Sequence, residues 1–158
     1  MRKWKIAVSA LAIALQIIFM AEWDRGIQAA AAPETIKVGA VVSLSGPFGS
    51  QGPEQRVGYQ IGVDDVNKDG GIYVKEFGKK IPIELTVLDD ESDPVKLVSR
   101  LETLNTINKV VTYFGGFGSS MHAAGAAIAE KNKIPYFGIA FALYSIHQQG
   151  YKYLFSPF

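Results

Sequence analysis

Hydrophobic and polar positions alternate along this chain in blocks whose lengths suit strands and helices in turn. Ile36 to Leu44 ("IKVGAVVSL") is an almost unbroken apolar run closed by Ser-Gly-Pro, the pattern of a strand buried on both faces of a parallel sheet. "SGPFGSQGP" is a tight loop, and Pro53 suits the first turn of a helix. Val57, Ile61 and Val66, flanked by Tyr59 and Val63, supply an apolar helical side that "NKDGG" terminates. After a turn at Phe77 to Lys80, Ile81 to Leu88 predicts a second strand running into "DDESDP". Pro94 opens a second helix, in which Val95, Val98, Leu101, Leu104 and Ile107 recur every three residues and should share one side. Val110 to Phe114 predicts a third strand, Ser119 to Lys131 a third helix, Ile134 onward a fourth strand, and Tyr153 to Ser156 a fifth. Strands alternating with helices at this spacing specify an α/β fold, a doubly wound parallel sheet with right-handed crossovers. Ligands of such sheets sit beyond the carboxyl ends of the strands. The loops of interest are therefore Ser43 to Gly52, Asp89 to Pro94, Gly115 to Ser120 and Ile139 to Ser145.

The first 32 residues stand outside that alternation. Arg2, Lys3 and Lys5 precede an apolar run from Ile6 to Ala21, then a polar patch and the small-residue tract Ala29 to Ala32. This is the three-part pattern of a secretory signal peptide, with cleavage expected within Ala30 to Ala32. At 16 residues the run is short for a bilayer span of about 20 residues. Residues 33–158 then form the mature part. Taking four basic and two acidic residues from the 16 and 15 of the chain leaves 12 against 13, a nearly neutral surface that gives nucleic acid no basic stripe. The chain has no cysteine, so an exported product would fold without disulfides, and a soluble periplasmic location is expected. "YKYLFSPF" stops on what reads as a strand with nothing to close the layer, so the chain is expected to be the amino-terminal piece of a longer product.

The chemistry of the chain centres on "YFGGFGSSMHAAGAAIAE", residues 113 to 130, where a glycine-rich turn meets two serines and a helix. A dinucleotide fingerprint requires a third glycine where Met121 stands, and no Gly-Lys-Ser/Thr tripeptide of a P-loop occurs in residues 33–158. A small carboxylate fits better: Ser119 or Ser120 as helix N-cap offers a hydroxyl, and the first-turn N–H groups and helix dipole favour negative charge. The same serines could merely cap the helix. His122 and His147 belong to no catalytic motif and read as solvated or packed histidines. The run Asp89, Asp90, Glu91, Asp93 reads as a solvated turn that favours the N-terminus of the following helix. No enzyme constellation, cofactor or metal site is expected.

Taken in order, "IKVGAVVSLSGPFGSQG", "VNKDGG", "IPIELTVLDDESDP", the glycine-serine turn after "VVTYFGG" and "KIPYFGIAF" resemble the amino-terminal part of the branched-chain amino acid (Leu/Ile/Val) type of periplasmic solute-binding protein. The resemblance implies a type I periplasmic binding fold, of which this chain would be the incomplete first lobe, and a partner permease of an ABC importer. It implies that Ser119 binds a ligand carboxylate, and that the loop around Ala140 and Ala142 holds the carboxylate and amino group. Alanine at 142 lacks the hydroxyl usual there. Gln51 lies near the place of an aromatic residue that touches the ligand side chain, a role Phe48 could share. Amino acids other than the branched-chain ones, aromatic carboxylates and amides stay open as ligands. The rival functions are a ligand-sensing receptor domain of the same fold and a secreted α/β enzyme.

Overall fold

The computed structural model describes residues 31–157, and Pro33–Phe158 forms one compact unit. The expected leader lies outside the described residues up to residue 30. β1 (Ile36–Val42) runs through the middle of the sheet because nearly every side chain on it is apolar and small enough to be enclosed. Val38, Ala40, Val41 and Val42 are all buried. β4 (Ile83–Asp89) pairs with it in parallel over seven residues, from Ile36 opposite Ile83 to Val42 opposite Asp89. On the other side come β5 (Tyr113–Phe114), β6 (Tyr136–Phe137) and β7 (Leu154–Phe155), giving the order β4-β1-β5-β6-β7 with every pairing parallel. This is the doubly wound α/β arrangement that the alternating pattern predicts.

Three helices cover the sheet. α1 (Gly52–Lys68) lies against β1 and β4 on one face. α2 (Pro94–Thr103) and α3 (Ser119–Asn132) pack together on the other face. There Val41, Leu97, Leu101, Leu104, Tyr113, Met121, Ala129 and Tyr136 form the core. Gly39 lets this layer close, since a Cβ there would lie 2.6 Å from Leu104 Cδ1.

Several local expectations are corrected. The buried side of α2 is Leu97, Leu101 and Leu104, spaced four and three apart, whereas Val95 is 77% exposed and Ile107 75%. The cause is twofold: a spacing of three drifts around a helix of 3.6 residues per turn, and a π-turn at Leu104–Asn108 swings Ile107 outward. On α1 the sheet side is Tyr59, Val63 and Val66, while Val57 and Ile61 face outward. The expected turn before the second strand is a hairpin, β2 (Ile72–Val74) against β3 (Lys79–Ile81), closed by Gly78 in the left-handed region. Ile81 belongs to that hairpin, so β4 starts only after Pro82. β1 stops at Val42, two residues short of the predicted Leu44, because Ser43 and Leu44 turn to bond the acidic loop. β5 is shorter than Val110 to Phe114, although the Val111 N–H still donates to Lys37 O at 2.9 Å.

Candidate functional site

The loops that leave β1, β4, β5 and β6 meet above one edge of this sheet, at the start of α3. Ser119 is the first residue of α3, and the N-cap is Gly118 at φ 99°, with no side chain capping the helix. The expected serine cap is thus corrected. A glycine takes that position because the backbone turns through a conformation side chains disfavour, and because a Cβ would come within 3.2 Å of the Phe48 ring. Freed from capping, Ser119 Oγ accepts the Ala142 N–H at 3.2 Å. One step away the Gly118 N–H donates to Ala140 O at 3.0 Å. Two hydrogen bonds therefore bind the loop after β5 to the loop after β6, and they gather Ser119, Ala140 and Ala142 into one cluster. The helix geometry leaves the N–H groups of Ser119, Ser120 and Met121 without intrahelical acceptors. Together with the Ser119 hydroxyl they make a short row of donors suited to a small anion.

Phe48 joins the cluster from the first loop, with its ring edge-on to Phe117 at 5.5 Å between centroids. A set of hydrogen bonds from the acidic loop holds it there. Ser92 Oγ accepts the Phe48 N–H at 3.0 Å and donates to Ser45 O at 2.7 Å. The stretch read as a solvated turn is in large part an internal brace. Asp90 is buried, accepting from Ser43 Oγ at 2.6 Å and from the Ser92 N–H at 2.8 Å. Burial raises its carboxyl above the ordinary range, and the bonds from Ser43 and Ser92 offset part of that. Asp89 accepts from the Leu44 and Glu91 N–H groups and from Ser45 Oγ, each at 2.8 Å. Slight burial acts to raise its carboxyl, but those bonds outweigh it and the net direction is down. Asp93 does cap α2, accepting from the N–H groups of Val95 and Lys96. Glu91 pairs with Lys96.

Gln51 turns inward. Its side-chain oxygen is buried with no protein partner, and its backbone O accepts the Gln55 N–H at the start of α1. Ser120 is exposed on the outer side of the first turn of α3. The structure thus brings Ser119, Ala140, Ala142 and Phe48 together and leaves Ser120 and Gln51 at the margin.

Beneath the cluster lies a buried relay. Gly116 O accepts from His122 Nε2 at 3.0 Å and from Gln55 Nε2 at 3.0 Å. With Nε2 donating, His122 Nδ1 accepts the Tyr136 hydroxyl at 2.9 Å. Burial pushes the His122 imidazole down to about 4, against a smaller upward push from the Gly116 carbonyl. Its role is packing, as one of the two sequence readings had it. His147 lies on the surface, stacked on Phe141 at 5.3 Å. Sequence reasoning missed Gly118, Phe117 and the Asp90 brace. Only the Gly-Phe-Gly-Ser spacing could have signalled Gly118, by putting a glycine immediately before the helix.

The cluster sets donors at a helix start beyond the carboxyl ends of a parallel sheet, the place where ligands of such sheets sit. The family model described as periplasmic binding protein matches residues 35–158, so the chain belongs to that family. A Leu/Ile/Val-binding protein homolog 7 of Brucella abortus is 30% identical over 126 residues, covering 78% of this chain and 30% of that relative. Homolog 8 from the same species is 29% identical, covering 79% and 29%. Among solved structures, the branched-chain amino acid transporter substrate-binding protein LivJ of Streptococcus pneumoniae, in complex with isoleucine, superposes with a TM-score of 0.69 at 30% identity. It covers 77% of this chain and 33% of that one. The leucine-binding protein LivK of Thermotoga maritima shares the fold at a TM-score of 0.64 and 22% identity. The fold is that of type I periplasmic binding proteins, and the chain spans about 30% of the length of the curated relatives it matches.

Proposed function

We propose that this chain is the amino-terminal lobe of an extracytoplasmic solute-binding protein that captures an amino acid or similar small carboxylate for an ABC importer in the membrane. The observation that carries the reading is the clustering of Ser119 Oγ, the start of α3 and the Ala140–Ala142 loop at the carboxyl end of the sheet. A carboxylate placed there would accept from the Ser119 hydroxyl and the first-turn N–H groups, and a second lobe would cover it. The expected signal peptide at residues 1–32 and a periplasmic location belong to the same reading. A sensor or receptor domain of the same fold would use the cluster in the same way and differ only in its partner. An enzyme is the weaker alternative: His122, beneath the cluster, has both ring nitrogens engaged in packing, and His147 stacks on Phe141. The relatives are binding proteins.

In the intact gene product, Ser119→Ala should weaken carboxylate binding by about 1 to 3 kcal/mol, since it strips a donor from a charged acceptor. Isothermal titration calorimetry with leucine, isoleucine, phenylalanine and acetamide would find the ligand class and read the loss. Affinity unchanged by the substitution would reduce Ser119 to a loop tie.

A further inference from the structure

The turn that leads from β5 into α3 contains Gly115 and Gly116, and a glycine lets the adjoining peptide reverse its direction with little steric cost. Neither position admits a side chain. A Cβ at 115 would lie 2.3 Å from the Tyr136 hydroxyl, and one at 116 would lie 3.1 Å from Val41 O. The freedom these glycines bring is removed by hydrogen bonds. Tyr59 of α1 donates its hydroxyl to Gly115 O at 2.5 Å, and Gln55, one turn earlier on the same helix, donates Nε2 to Gly116 O at 3.0 Å. From α3, His122 Nε2 reaches the same Gly116 O at 3.0 Å. Two successive carbonyls thus accept from three side chains on two helices.

Every peptide bond among the described residues is trans, and in a trans peptide the N–H points opposite to the C=O. With their oxygens drawn onto Tyr59, Gln55 and His122, the two peptides turn the N–H groups of Gly116 and Phe117 away from those side chains. Neither N–H meets a backbone acceptor among the described residues. They lead directly to the first-turn donors of α3, and successive N–H groups of this kind make an anion-binding concavity. Reversing the Gly116–Phe117 peptide would put a carbonyl oxygen where the Phe117 N–H stands, and that oxygen would repel a carboxylate. The donors on α1 are more than packing. Gln55 Oε1 is buried without a partner, an unfavourable arrangement that a methionine of similar length would avoid. The Tyr59 ring stacks on Phe114 at 5.0 Å, as a phenylalanine would, so only its hydroxyl serves the turn. Burial pushes that phenol up, which keeps it protonated as a donor.

We infer that Gln55 and Tyr59 are positioning residues of the carboxylate site: by holding the Gly115 and Gly116 carbonyls inward, they aim the Phe117 N–H at the ligand and extend the donor row of Ser119. The inference rests on the carboxylate reading proposed above. It assigns to α1 a part in setting the polarity of a turn that belongs to β5 and α3.

Tyr59→Phe and Gln55→Met each remove one donor and keep the packing, and each would be made in the intact gene product labelled with 15N-phenylalanine. The Phe117 amide is the nuclear magnetic resonance signal that Phe117→Leu removes. In the unchanged protein it should be single and sharp, and in either variant it should broaden or split while the urea melt stays cooperative. Calorimetry with leucine, isoleucine and phenylalanine should find affinity weakened by about 10-fold, the loss expected when about one molecule in ten presents the competent orientation. A Phe117 signal that stays single and sharp in both variants would overturn the inference, because the turn then keeps its direction unaided. A broadened signal with unchanged affinity would overturn it too, since the Phe117 N–H then does not serve the ligand. Ser119→Ala separates this inference from the reading beneath it. If Ser119→Ala weakens binding while Tyr59→Phe and Gln55→Met bind as the unchanged protein does, the positioning role falls and the carboxylate anchor stands. If the unchanged protein binds none of the three carboxylates, both fall. Gln55→Met keeps the test open if Tyr59→Phe fails to fold.

Discussion

His122 shows how much a single side chain contributes beneath the site. Its ring is fully enclosed, donates to Gly116 O and accepts from Tyr136, so protonation at Nδ1 would force the Tyr136 hydroxyl to turn from donor to acceptor and would place a charge in an enclosed site. The sign of the pH effect follows from its lowered value of about 4 against an ordinary 6.5. Above pH 6.5 the imidazole is neutral in both folded and unfolded chains and contributes no pH dependence. As pH falls from 6.5 towards 4 the unfolded chain takes up the proton first, and stability drops by about 1.4 kcal/mol per pH unit at most. Asp90, with its raised carboxyl, acts in the opposite direction nearer the ordinary carboxylate range. Urea melts between pH 7 and 4.5 should therefore show a downward slope, and His122→Gln should flatten it. An equal slope in the variant would trace the effect to other groups. The place of Ser119 at the start of α3 was legible at this scale, because a serine between a glycine turn and an alanine-rich stretch marks a helix start. Its change of role, from helix cap to acceptor for Ala142, was not legible, because it depends on a loop 23 residues away.

At the scale of elements, apolar runs such as Ile36–Val42 announced themselves because a strand buried on both faces admits almost no polar residue. Helices were legible in place and extent but not in orientation. Several apolar side chains, Val57, Ile61, Val95 and Ile107, lie on the surface and mimic a core side by spacing alone. Which side is buried was settled by the sheet and by the π-turn at Leu104–Asn108, a feature without a composition signal. The corrected assignment makes a sharp forecast. Leu97→Ala, fully buried, should cost about 2 to 5 kcal/mol, the usual penalty of a cavity in a close-packed core. Val95→Ser should stay within about 0.5 kcal/mol, because its side chain is mostly in water. Chemical denaturation of both variants reads the difference directly. A large loss at Val95 would mean that a surface outside the described residues covers α2. The hairpin of β2 and β3 stayed hidden because each strand has only three residues and Pro82 abuts it, so its apolar positions merge with those of β4.

At the scale of the whole molecule, the proposed function makes the row of donors at the start of α3 only half of a binding site. Hydrogen bonds to a carboxylate exposed to water are largely offset by those that water itself would make. The same donors become effective when the carboxylate is enclosed and the surrounding dielectric falls. On the proposed function, such a lobe would gain affinity by being covered, and domain closure on the ligand is the device that reading expects. That couples occupancy to shape. Small-angle scattering of the intact gene product should show a smaller radius of gyration once the ligand found by calorimetry is saturating. Ser119→Ala should contract to the same closed value but require more ligand, because the substitution weakens an anchor without altering the covering surface. If the radius stays constant while calorimetry reports binding, capture and closure are separate events, and the shape of the molecule carries no signal to a membrane partner. If Ser119→Ala binds as tightly as the unchanged protein but no longer contracts, Ser119 serves the closure and the anion anchor lies elsewhere among the first-turn N–H groups.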